Sequence, residues 1–232
     1  NKNIVDLIPI NIVNKILEIP SLLIEKEFFK GKGGEITRIG VLNLIKGCSI
    51  CKFKINEIKC KIWIQILEEC LRTTIEDIHK EVYQALEIFS KNILTYFKDL
   101  EINMIENFIK KIQFEKIKDI KKAFVKAIST FDSQILLIKY ETIIELLCNN
   151  AKIKKDILMN DAEIRVVSVY SFIEIFIKIM PFINNINILV LILDTLIATG
   201  NDHTVDKRGD IAKIVTEETA YSIEKIGNAF II

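Results

Sequence analysis

The residues with the most chemical potential crowd into one loop, Thr199-Gly-Asn-Asp-His-Thr-Val-Asp-Lys-Arg-Gly-Asp210. Asp202, Asp206 and Asp210 with His203 offer oxygen and imidazole ligands, the outline of a metal site. A calcium loop, however, places its acids at tighter, regular steps and closes on a glutamate. The spacing here favours Arg208 pairing with Asp206 or Asp210, in a loop that steadies itself or touches another protein. Cys48-x-x-Cys51, followed by Cys60 and Cys70, raises thiolate chemistry next. Structural zinc takes four convergent ligands, usually as two close pairs. The second pair is too far apart and no histidine lies near, so all five cysteines, Cys148 included, read as small buried hydrophobes. Their odd number in so long a chain suits a reducing compartment. Gly31-Lys-Gly-Gly34 lacks the spacing and the strand-to-helix setting of a phosphate loop and reads as an inter-helix connection. His79 and His203 stand far apart, and neither follows a nucleophile motif. His79 reads as a surface or ladder residue in a first helical turn, and Trp63 as core. No catalytic residue, metal or cofactor is expected.

The elements that must position these residues are helices. Alternation at period two never lasts, and hairpin turn dipeptides are missing. Val82, Ala85, Leu86, Phe89, Ile93, Tyr96 and Phe97 keep helical spacing and form one apolar stripe. From Asp161 to Met180 the polar positions after the first turn, Ser168, Ser171, Glu174 and Lys178, share one narrow line. A helix apolar around the rest of its circumference must be covered on several sides, as stacked helical layers do.

A repeat sets the scale. Glu35, Asp77, Asp119 and Asp161 stand 42 residues apart, and each opens a helix. Arg38, Lys80, Lys122 and Arg165 follow them one turn later. The acids suit the positive end of the helix dipole and its unpaired N–H groups. The step fits HEAT-type repeats of about 40–47 residues. The expectation is an all-α, HEAT-type α-solenoid: one array over 1–232, of about five helical pairs, with these eight residues as a charged ladder. The partner helices fall near 56–72, 100–112, 133–149 and 184–199, after an earlier pair at 8–27 and 35–50. Pro20 should bend or break the first segment, Pro181 should close the helix from 161, and the last helix should begin near Gly209.

Composition narrows the function classes. The formal charge is +1, and the basic run from Lys110 to Lys126 is interrupted by Glu115 and Asp119, so nucleic acid is not an expected partner. The most apolar run, Ile186 to Ala198, is too short to span a bilayer and carries Asn187 and Asp194. The opening Asn-Lys-Asn-Ile does not read as a secretory leader. The absence of an initial Met, with an apolar last segment, gives the expectation of a piece of a longer protein.

The segment Asp202-His-Thr-Val-Asp-Lys-Arg-Gly-Asp-Ile-Ala-Lys-Ile-Val-Thr-Glu-Glu resembles one in the tubulin-folding cofactor D family that reads D-Y-T-T-D-x-R-G-D-V-G-x-W-V-R-E. Asp206, Arg208, Gly209 and Asp210 match its core. The stretches Gly31 to Leu44, Trp63 to Arg72 and Val82 to Phe97 follow the family's mid-chain order. Ile214 and Thr216 replace the family's Trp and Arg, and His203 replaces its aromatic. The resemblance implies a cytoplasmic, cytoskeleton-associated HEAT-repeat chaperone and not an enzyme in its own right. It implies binding of β-tubulin, and work with tubulin-folding cofactors C and E and an Arf-like small GTPase in making and dismantling the heterodimer. GTP hydrolysis would be promoted on tubulin itself. Asp206, Arg208, Gly209 and Asp210 would face a partner or brace a repeat junction. Another HEAT or armadillo scaffold, such as a transport or coat adaptor, is the alternative.

Overall fold

Apolar periodicity becomes helix along most of the chain. The computed structural model describes residues 8–27, 29, 34–153, 161–206 and 209–230. Eleven helices are found among them: α1 (Ile10–Glu25), α2 (Gly34–Ile50), α3 (Glu57–Leu71), α4 (Glu76–Asn92), α5 (Lys98–Phe114), α6 (Lys118–Ile128), α7 (Ser133–Leu136), α8 (Tyr140–Ala151), α9 (Ala162–Ile179), α10 (Ile186–Gly200) and α11 (Ala212–Phe230). Two 3-10 turns, Leu94–Tyr96 and Met180–Phe182, follow α4 and α9. Among the described residues the one extended piece is an antiparallel pair of two-residue strands, β1 (Val205–Asp206) and β2 (Gly209–Asp210), with Val205 opposite Asp210. The fold class is all-α. No described helix is long and apolar enough to cross a membrane.

The chain divides into two compact units, the first of Asn1–Glu106 with Thr130–Asp132, the second of Asn107–Ser129 with Ser133–Ile232. In the first unit α2 lies along α4, and α3 packs against α4 and α1. Its core is the fully buried stripe Val82, Ala85, Leu86 and Phe89 of α4 with Ile45, Trp63 and Leu67. The Trp63 and Phe89 rings meet at 6.1 Å, tilted by 50°. Burying each large apolar side chain contributes about 1.5–3 kcal/mol, and this layer depends on those terms. Gly34 has a specific reason to be glycine: a β-carbon there would collide with the Phe29 carbonyl where the chain turns into α2. In the second unit α9 is covered by α6, α7, α8 and α11, while α10 packs against α8 and α11. The need for cover on several sides is met.

Several expectations need correction. Pro20 does not break α1; its ring joins Val13 and Leu17 in the buried stripe, and α1 packs on α3. The segment expected as one helix over 133–149 is two, because Ile138 and Lys139 donate to Ile135 and Leu136 in a tight turn. Periodicity does not register such a turn. Helix α4 stops at Asn92, so the predicted stripe does not reach Tyr96, whose side chain is exposed. His79 is buried rather than on the surface, with Nε2 2.9 Å from the Thr73 carbonyl. The last helix begins at Ala212, after the β pair, rather than near Gly209. Two members of the polar line on α9, Ser168 and Ser171, are fully buried.

The cysteines are all free thiols, and only Cys51 reaches solvent in part. Burial pushes Cys48 and Cys148 up to about 11, and Cys60 and Cys70 up to about 12. Thiolate is the reactive form, so these four are inert in the folded chain. A disulfide-exchange reagent at neutral pH should label Cys51 first, and the remaining four only at the rate of unfolding. Mass mapping of the labelled cysteines checks this.

Candidate functional site

The polar structure of the second unit is built around the start of α9. Asp161 caps the helix: its Oδ1 accepts from the N–H of Glu163 at 2.9 Å and of Ile164 at 3.2 Å. Its other oxygen stands 3.0 Å from the Lys118 ammonium of α6. Lys118 and Lys122 each lie 2.5 Å from one oxygen of Glu163. Hydrogen bonds from Lys118 and then Lys122 hold the Glu163 carboxyl down at about 2. Two amines and two carboxylates thereby join α6 to α9. Asp119 and Lys122 also approach each other within α6, at 3.9 Å.

One turn further along α9 lies Arg165, 1% exposed. Its Nη1 donates to Oδ2 of Asp202, which is 2% exposed in the loop after α10. The other Asp202 oxygen accepts from the Thr204 N–H at 2.9 Å and from the Thr204 hydroxyl at 2.5 Å. Both Asp202 oxygens are thus occupied by protein donors. Arg165 Nε and Nη2 are buried without an acceptor. From Thr204 the chain enters β1, and the Thr204 carbonyl then accepts from Ala212 N–H at 3.1 Å, closing the loop onto the start of α11. Among the described residues no group of three His, Cys, Asp or Glu side chains is arranged to hold a metal.

A third cluster lies further along the same helices. The Lys126 ammonium of α6 sits 3.1 Å from the centre of the Tyr170 ring on α9, a cation–π contact. Lys225 of α11 pairs with Glu174 and lies 5.7 Å from the same ring. Burial lowers the Lys126 pKa and raises those of Tyr170 and Glu218. Buried hydroxyls also occur on α9, α10 and α11. Thr219 bonds Thr199 at 2.9 Å, and Ser168 and Ser171 have no hydrogen-bond partner.

The expected ladder residues divide accordingly. Asp161, Lys122 and Arg165 connect different elements, Asp161 to α6, Lys122 to α9 and Arg165 to the loop after α10. Asp77 and Lys80 instead pair with each other within α4, at 3.1 Å and exposed to solvent. One polar link from α2 to α4 comes from Lys46, bonded to Glu81 at 3.2 Å and Gln84 at 3.0 Å. Glu35 is an exposed first-turn residue of α2, and the Arg38 guanidinium lies 5.5 Å over the Phe29 ring. Of the loop residues matched to the family, Asp206, Gly209 and Asp210 lie in the β pair, where Asp206 and Gly209 are register partners. Arg208 lies outside the described residues, as does its expected pairing. Sequence reasoning missed Lys118, Glu163, Lys126, Tyr170 and Lys225. Their only signal was spacing: Glu163 follows Lys118 and Lys122 by about one repeat.

No protein-family model matches the chain, and comparison with curated proteins and with solved structures found no match.

Two stability effects follow. Glu163 is half-exposed, so Glu163→Gln should cost about 0.5–1 kcal/mol at neutral pH, within the screened range of surface pairs. The depressed carboxyl contributes its stability above the unfolded-state value of 4.5, and loses it as pH falls through about 2. The gap between variant and parent should therefore close across that acid window in denaturant titrations. Asp202→Asn should cost more, about 3–5 kcal/mol, because it leaves a buried guanidinium without its counter-charge. The double change Arg165→Met with Asp202→Leu should recover much of that loss in thermal unfolding.

Proposed function

We propose that this chain is a HEAT-type helical-repeat scaffold that holds other proteins, and that its partner is tubulin, as in the tubulin-folding cofactor D family. The observation that carries the scaffold reading is polar coupling at about one repeat's separation. Lys122 of α6 bonds Glu163 of α9, and the Asn92 amide bonds the Ser49 carbonyl at 3.2 Å. The Ser90 hydroxyl likewise accepts from Asp132 N–H at 3.1 Å. Contacts repeated at the repeat length are what stacked helical pairs produce. In this reading the array runs over 1–232.

The tubulin part of the reading is supported by the loop motif. Its first Asp, Asp202, is tied to α9 through Arg165, and the matched residues Asp206, Gly209 and Asp210 follow in the β pair. A braced loop suits recognition better than a free one, because little ordering entropy is lost on binding. The chaperone would capture β-tubulin by shape and by its charged ridge, in the cytoplasm, alongside cofactors C and E and an Arf-like small GTPase. Any GTP hydrolysis would take place on tubulin.

Binding of the labelled chain to purified tubulin heterodimer at two salt concentrations tests this. Salt-sensitive binding is expected, weakened about tenfold or more when Asp206, Arg208 and Asp210 are all changed to Ala. No binding by a folded, helical chain overturns the tubulin reading.

A further inference from the structure

Three lysines of α6, Lys118, Lys122 and Lys126, follow one another turn by turn, and their surroundings differ. Lys118 and Lys122 each have an oxygen of Glu163 at 2.5 Å. Lys126 pairs with no carboxylate among the described residues; its ammonium lies 3.1 Å from the centre of the Tyr170 ring instead. The acids nearest to serving it are engaged elsewhere. Glu174 of α9 pairs with Lys225 of α11, and Glu218 of α11 accepts from the Ser222 hydroxyl at 3.4 Å. Lys225 itself stands 5.7 Å from the centre of the Tyr170 ring, so two amines share one aromatic face or edge.

A half-buried ammonium without a counter-ion is at a disadvantage against the neutral amine. Burial lowers the Lys126 pKa; the Glu174 and Glu218 carboxylates oppose that shift, and the Lys225 ammonium adds to it. The ring attracts the cation, and it also accepts an N–H of the neutral amine. Desolvation and a neighbouring cation are the two conditions that turn a lysine into a nucleophile, and both are met here. The same neighbours select what the amine can carry. An adduct ending in a carboxylate would add a third negative charge beside Glu174 and Glu218. A short neutral acyl group adds none, and its planar amide can stack on the Tyr170 ring.

We propose that Lys126 is an acylation site, taking a short neutral acyl group from an acyl thioester. The amine, its extra proton lost to solvent, attacks the thioester carbonyl carbon. The C–N bond forms, the C–S bond breaks, and a second amine proton leaves with the thiolate as thiol. Nothing is oxidised or reduced. The product removes one positive charge from a cluster that joins α6, α9 and α11. The site is independent of the tubulin reading.

Incubating the full chain with the acetyl thioester of N-acetylcysteamine, and mapping acetyl-lysines by mass spectrometry over time, tests this. Lys52, exposed at the end of α2, is the internal reference. At neutral pH Lys126 should react about threefold or more faster than Lys52. That advantage should shrink as pH rises toward 10.5, the ordinary lysine value, where exposed amines lose their protons as well. Lys225→Gln should slow Lys126 about threefold or more, because it removes the like charge and releases Glu174 to pair with the ammonium. Glu174→Gln should instead speed it. Both side chains are partly exposed, so the variants should keep the parent's circular dichroism, and the comparison of Lys126 with Lys52 needs neither of them. The succinyl thioester of the same thiol should show no preference for Lys126. Acetylation of Lys126 no faster than of Lys52, variants that shift its rate in the same direction, or an equal preference with the succinyl reagent overturns the proposal.

Discussion

An 18-residue helix that is apolar around most of its circumference is stable only where neighbours cover it, and α9 is covered by α6, α7, α8 and α11. Much of the second unit follows from that requirement. Fully buried side chains recur along the helix, from Val169 and Phe172 to Ile175 and Ile179. The two serines within the buried surface, Ser168 and Ser171, carry hydroxyls that find no partner. Their small volume is the physical reason to tolerate them: a leucine at either place would hold a neighbouring helix further off.

The charges are arranged to leave that packing undisturbed. Lys118, Lys122, Asp161 and Glu163 meet at the mouth of the α6–α9 contact, where water still screens them. Lys126 lays its ammonium on the Tyr170 ring, so a partly buried cation is met by π-electron density. Arg165 and Asp202 are taken out of solvent, and they are taken together. Breaking such a pair is costlier than never having made it, so it fixes geometry more than it adds stability.

Helix identity was legible because periodicity is local. The boundaries of α2, α3 and α9 fall within a residue or two of their sequence expectation. What was hidden depended on distant residues. The turn between α7 and α8, the early end of α4 and the inward placement of His79 are settled by contacts that no local spacing announces. Pro20 persists within a helix because its ring is useful in a buried stripe, which propensity alone does not weigh. The candidate site was half-readable. The motif drew attention to the loop, and Asp202 was weighed there as a metal ligand, but its buried pairing with Arg165 was not readable, since burial is a tertiary property. The 42-residue step located Asp161, Lys122 and Arg165, and it equally picked out Asp77 and Lys80, which pair only within their own helix.

The tie between Arg165 and Asp202 also bears on how this chain can drift over generations. A guanidinium with two unpaired buried nitrogens tolerates loss of its one carboxylate poorly, and that carboxylate, wedged against Thr204, is no better placed alone. Each position therefore constrains the other across the length of α10. Replacement should go through paired exchanges, or through an intermediate in which one side shortens and solvent enters. Among natural descendants of this sequence, positions 165 and 202 should be found changed together or not at all, while the exposed Asp77 and Lys80 wander independently.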